Sequence, residues 1–97
     1  GGGDGVMAVT VKLPAQLRAA AGGAGRIEVD GATVGAVLEA VYAQHPELKD
    51  RLTDEGGALR RFVNVYVDGE DVRFDGGLER AVPDGSEVQI LPAVAGG

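Results

Sequence analysis

The sequence predicts an α+β domain: a mixed sheet of four to five strands crossed by one helix, followed by a flexible C-terminal Gly-Gly tail. Three observations predict it. Short runs near both ends of the chain alternate apolar and polar residues. One central stretch carries apolar residues at helical spacing. Turn residues, mainly Gly, Pro and Asp, separate these stretches.

The elements follow in order. From Ala8 to Leu13, Val9, Val11 and Leu13 share one face, and Thr10 and Lys12 share the other. Pro14 ends that strand. Arg26 to Asp30 alternates again around Ile27 and Val29, and Gly22-Gly23-Ala24-Gly25 between the two runs reads as a loop closing a hairpin. Thr33 is placed as a helix N-cap. Val34, Val37, Leu38, Val41 and Tyr42 then form a stripe on one helix face, with Glu39 and Gln44 off it. Pro46 stops the helix at His45, and 46–52 has room for one more helical turn. Thr53 to Gly57 reads as a loop.

The strongest strand signal is Arg61 to Val67. Val63, Val65 and Val67 take one face; Phe62, Asn64 and Tyr66 take the other. Asp68-Gly69 is a tight-turn pair, after which Val72 to Phe74 is expected to pair back as a short strand. Pro83-Asp84-Gly85 is a further turn, and Glu87 to Leu91 is the last strand, ended by Pro92. A hairpin, a crossing helix and a return to the same sheet describe a β-grasp, the ubiquitin-like roll. The valines of the third strand are expected to face the helix. Phe62, Tyr66 and Leu91 then face the open side, where they form a candidate docking patch. The domain reading is a disordered leader or cloning scar at 1–6, a β-grasp domain at 7–92 with Met7 as the natural start, and a flexible tail at 93–97.

Composition narrows the function. The chain has 97 residues, room for one core but not for a deep active-site pocket. Nine Lys and Arg face fifteen Asp and Glu, a net charge of −6, which disfavours nucleic acid and anionic membranes as partners. Cysteine is absent, so there is no disulfide framework, no thiolate metal site and no cysteine persulfide on which sulfur could ride. No apolar run reaches the length of a membrane span, and 1–6 lacks the features of a signal peptide. A cytoplasmic protein, monomeric when free, is the expectation. His45 reads as a surface residue, and the single serine, Ser86, lies in a turn with no histidine near it in sequence, so no triad is expected. Asp68, Glu70 and Asp71 lack calcium-loop spacing and read as a solvated turn. Catalytic residues and metal ligands are therefore assigned to none of these positions.

The tail carries the chemistry. Ala93, Val94, Ala95, Gly96 and Gly97 offer nothing to a core, and five residues reach at most about 17 Å. Two glycines tolerate narrow walls, so such an end can thread a channel and present the Gly97 carboxylate. A carboxylate is a poor electrophile. ATP converts it to an acyl-adenylate, and a sulfur donor that displaces AMP leaves a thiocarboxylate. A C-terminal glycine suits this because no side chain hinders attack at the carbonyl.

The stretch Arg61-Phe62-Val63-Asn64-Val65-Tyr66-Val67, then Glu70-Asp71-Val72-Arg73-Phe74, then Ile90-Leu91-Pro92-Ala93-Val94-Ala95-Gly96-Gly97 resembles the β-grasp sulfur carriers of the MoaD/ThiS group. Within that group the likeness is greatest to the CysO-type carriers of actinobacterial cysteine biosynthesis. The resemblance runs from Met7 to Gly97. It implies a protein co-substrate, not an enzyme, whose sulfur-carrying terminus is Gly97 and which binds no cofactor itself. It implies an E1-like adenylating enzyme that uses ATP, and a sulfurtransferase. It also implies a PLP-dependent cysteine synthase acting on an activated serine, and a zinc metalloprotease that releases the cysteine. PLP and zinc belong to those partners. Two other readings stay open: a small subunit of molybdopterin synthase or a sulfur donor to thiamin, tRNA or natural-product pathways, and a ubiquitin-like protein modifier. An inert β-grasp binding module is the remaining alternative.

Overall fold

The computed structural model describes residues 8–61 and 63–92. Strand β1 (Ala8–Lys12) is followed by a short helix α1 (Ala15–Arg18) and a tight helical turn at Ala19–Ala21. Then come β2 (Arg26–Asp30), helix α2 (Val34–Gln44), helix α3 (Pro46–Leu52), β3 (Val63–Val67), the two-residue β4 (Glu70–Asp71) and β5 (Glu87–Pro92). The five strands lie in the order β2-β1-β5-β3-β4. β1 is antiparallel to β2 and parallel to β5, and β3 is antiparallel to both β5 and β4. The expected hairpin, crossing helix and return to the sheet are all present.

The core forms where two periodicities meet. Val9, Val11, Ile27, Val29, Val63, Val65, Val67, Val88 and Ile90 line one face of the sheet and are buried. Val34, Val37, Leu38, Val41 and Tyr42, the five stripe residues read from the sequence, are the buried residues of α2 and cover that face. Thr33 caps α2 as expected: its hydroxyl accepts from the Ala36 N–H at 3.2 Å. Pro46 opens α3 in the first-turn position that tolerates a missing N–H, and Leu48 and Leu52 carry α3 into the core. At Gly31, between β2 and α2, the backbone passes so close to α2 that a Cβ would sit 2.7 Å from the Val37 nitrogen. Only glycine fits that approach.

Three segments differ from expectation. The connection between β1 and β2 is more than a loop: α1 and its following turn bury Leu17, Ala20 and Ala21 against one end of the core. Four residues are too few to show a helical stripe in sequence. Val72–Phe74 is a single helical turn, not a strand. Asp71 accepts from the Arg73 N–H at 2.8 Å, and the Asp75 N–H donates to the Val72 carbonyl at 2.9 Å. These local bonds take the chain off the sheet edge and leave β4 two residues long. Arg61 precedes β3 as a turn residue. Among the described residues, no helix is long and apolar enough to cross a membrane.

Candidate functional site at the root of the tail

β5 is a central strand, paired on both sides. Its parallel partner β1 aligns Thr10, Val11 and Lys12 with Glu87, Val88 and Gln89. Its antiparallel partner β3 aligns Val63 with Pro92, Asn64 with Leu91, Val65 with Ile90 and Tyr66 with Gln89. The ladder therefore runs to Pro92, the last residue before the tail, so the root of the tail is fixed to the body. The tail residues Ala93, Val94, Ala95, Gly96 and Gly97 lie outside the described residues, and so does Phe62.

Directly opposed residues of an antiparallel pair project to the same face. Val65 and Ile90 thus share the core face, and Tyr66, Asn64, Leu91 and Gln89 share the open one. The structure brings two of the three expected docking residues together. Leu91 stands directly across from Asn64, one step diagonally from Tyr66, within reach of an aromatic side chain. Both Tyr66 and Leu91 are half-buried, less exposed than single-strand alternation implies, because cross-strand neighbours shield them. Across β1 and β2 the open face is polar: Thr10, Lys12, Arg26, Glu28 and Asp30. Lys12 pairs with Glu87 at 2.8 Å. Among the described residues, the apolar part of the open face is thus confined to β3 and β5, beside the tail root.

The remaining candidate groups are occupied in local structure. Asp68 has a positive φ of 50° next to Gly69 at 90°, as the tight turn demands. Its carboxylate accepts from the Glu87 N–H at 3.0 Å. Glu70 binds Arg80 at 2.7 Å, and Asp75 binds the same guanidinium at 3.0 Å. Ser86 is buried in the turn before β5, and His45 joins α2 to α3. Among the described residues, no group of three or more His, Asp or Glu side chains is placed to hold a metal ion.

Two exposed apolar residues escaped the sequence reading. Phe74 is 84% exposed and Leu78 is 41% exposed. Alternation places Phe74 in a strand, where it would be buried or shielded; the turn-forming Asp71 is the signal that points the other way.

A family model described as the ThiS family matches residues 11–97. The sulfur carrier protein CysO of Mycobacterium tuberculosis is 50% identical over 93 residues, covering 94% of this chain and all of CysO. Small archaeal modifier protein 1 of Haloferax volcanii is 39% identical over 73 residues, 74% of this chain and 79% of that protein. Among solved structures, a chain of the BexX/CysO complex of Amycolatopsis orientalis superposes with a TM-score of 0.84 at 52% identity. That match covers 92% of this chain and 99% of the other.

Proposed function

The chain belongs to the ThiS family of β-grasp sulfur carriers, and we propose that it works as a protein co-substrate whose Gly97 carboxylate becomes a thiocarboxylate. The observation that carries this reading is a tail rooted in a central strand on a body whose relatives are carriers. In the first step a carboxylate oxygen of Gly97 attacks the α-phosphorus of ATP on an E1-like adenylating enzyme, and pyrophosphate leaves. In the second, a sulfide equivalent from a sulfurtransferase attacks the acyl carbon, and AMP leaves. The –COS⁻ group formed is a soft nucleophile and a transferable sulfur.

Likeness to CysO over nearly the whole chain supports cysteine formation as the destination. A PLP-dependent cysteine synthase would join the thiocarboxylate sulfur to the β-carbon of an activated serine, whose activating group leaves. The adduct would rearrange to a peptide bond, and a zinc metalloprotease would free cysteine and restore Gly97. ATP, PLP and zinc are bound by the partners, not by this chain. Tyr66 and Leu91, with Phe62, are the residues proposed to hold the body against the enzyme that takes the tail.

The match to small archaeal modifier protein 1 favours a second reading, conjugation to lysines of other proteins. One experiment tests both. Intact-mass spectrometry of protein recovered from its host shows one oxygen replaced by sulfur if the carrier reading holds. Isopeptide-linked adducts without that replacement favour the modifier. A variant with one alanine added after Gly97 is expected to fold normally and load no sulfur. Undiminished loading of that variant, with no processing protease present, refutes the assignment of Gly97.

A further inference from the structure

The charge of this protein is sorted along its strands. β1 and β5 run toward the tail, and β2 and β3 start at that end, because both are antiparallel to their neighbours. The tail end of the sheet is therefore built from the end of β1, the start of β2 and the start of β3. The described residues forming it, 11–27, 61, 63–65 and 89–92, contain no Asp or Glu and hold Lys12, Arg18, Arg26 and Arg61; Arg60 lies instead with Asp50, Asp54 and Glu55 around one cleft. Arg73 joins the tail end from beyond β4: its guanidinium donates to the carbonyls of Arg61 and Val63 at 3.1 and 3.3 Å. The far end of the sheet is the reverse. Asp30, Asp68, Glu70 and Asp84 sit at its strand ends and turns, and Glu87 reaches from it to Lys12. Its cation Arg80 is bound by Glu70 and Asp75.

Lys12 and Arg26 are directly opposite partners in the β1–β2 ladder, and Glu87 neutralises Lys12 at 2.8 Å, so Arg18, Arg26, Arg61 and Arg73 carry the charge of the basic end. Arg18 lies across Gly25, which is tight enough that a Cβ there would come 3.1 Å from Nε. That Nε donates to the Leu13 carbonyl at 3.2 Å. Lys12, Arg18 and Arg26 line an open groove of about 420 Å³ that also reaches Leu91. A chain of net charge −6 thus concentrates positive charge around the root of its tail.

We infer that this basic rim docks on an acidic surface surrounding the channel of the enzyme that adenylates the tail. The inference rests on the carrier reading. A positive pole at the tail and a negative pole opposite make a dipole that turns the tail toward an acidic partner during encounter, which acts chiefly on association rate. A polyanion such as RNA is the poorer occupant, because the acidic end and the net charge repel an extended chain of phosphates.

The test uses the full chain with the host's E1-like adenylating enzyme, read by ATP–pyrophosphate exchange at increasing salt. The variants are Arg26→Glu, the double variant Arg26→Glu/Arg61→Glu, and Asp84→Lys at the opposite pole. Arg26, Arg61 and Asp84 are all exposed, and melting temperature confirms that each variant folds. Arg26→Glu is expected to fold as well as the parent.

The expected result is a kcat/KM lowered roughly tenfold or more in the double variant at low salt, less in the single variant, and the difference shrinking as salt rises. Asp84→Lys is expected to stay within about twofold of the parent, because it lies at the far pole. A parent that exchanges well while the reversal variants match it at low salt overturns the inference and leaves the carrier reading standing. So does a slow double variant matched by a fast Asp84→Lys, which would make net charge the cause. A parent that binds a short RNA in a gel shift and whose exchange ignores Arg26→Glu overturns it in favour of nucleic acid. A parent with no exchange at all removes the carrier reading and this inference with it.

Discussion

Val65 and Tyr66 are neighbours on β3 that face opposite ways, and truncating each to alanine separates core from docking surface. Val65 is 1% exposed, paired with Ile90 on the central strand and roofed by α2. Val65→Ala removes two methyl groups, worth about 1.6 kcal/mol in transfer. The cavity left in a packed sheet–helix interface adds to that, for a total of about 2–3 kcal/mol. In a domain of this size each kcal/mol moves the melting temperature by about 4–8 °C, so a loss of roughly 10–20 °C is expected. Tyr66→Ala truncates a half-buried residue on the open face and is expected to cost about 1 kcal/mol or less. It should instead weaken binding to the adenylating enzyme about tenfold or more, as loss of an aromatic anchor does. Differential scanning calorimetry and a titration with that enzyme measure both quantities. If Tyr66→Ala lowers the melting temperature as much as Val65→Ala, or leaves binding unchanged, the assignment of the open face as the docking face is refuted.

Gly31→Ala places a methyl against the α2 backbone, 2.7 Å from the Val37 nitrogen. Neither backbone can yield cheaply, so chemical denaturation should show a loss of about 1–3 kcal/mol; a change within error would show that the β2–α2 junction is looser than described. Tyr42 is buried, and its phenol is pushed up from 10.0 to about 12 by burial first and by the Glu39 carboxylate second. The folded protein therefore keeps Tyr42 neutral where the unfolded chain ionises it. That contribution is fully present below pH 10 and is lost as pH rises toward 12. Thermal melts of the parent and Tyr42→Phe from neutral pH to 12 should diverge only above pH 10, with Tyr42→Phe falling less steeply; parallel curves would refute this role.

The elements with a long repeat were legible in the sequence, and those shaped by short local bonds were not. The five-residue stripe of α2 matches its buried face residue for residue, because helical spacing over eleven residues leaves one solution. The alternation of β3 fixed Val65 inward and Tyr66 outward for the same reason. The register between β3 and β5 lay beyond the sequence, since it depends on how the intervening chain closes; it is the register that sets Leu91 beside Tyr66. The turn at Val72–Phe74 was misread because alternation outweighed one aspartate, yet Asp71 capping Arg73 decides the conformation there. The basic rim was also hidden. Its residues stand far apart in the chain, and only the strand directions bring Arg26, Lys12 and Arg61 to one end of the sheet.

The strand order has a mechanical consequence for a carrier. The tail follows β5, which is bonded to β1 as far as Gln89 and to β3 as far as Pro92. The pairing of Val63 with Pro92 carries the anchor to the last residue before the tail. Pro92 has no N–H to offer a continuing ladder, and it is the last residue of the described strand. Five residues beyond that anchor reach at most about 17 Å. Any enzyme that processes Gly97 must therefore bring its reacting atoms within that distance of the β5 end, which forces contact with the surface holding Tyr66, Leu91 and the basic rim. Docking energy spent on that surface places the root of the tail, because Pro92 is held in register with Val63. The successive enzymes proposed for Gly97 would each need the tail root, so they would compete for the same ground and act in turn.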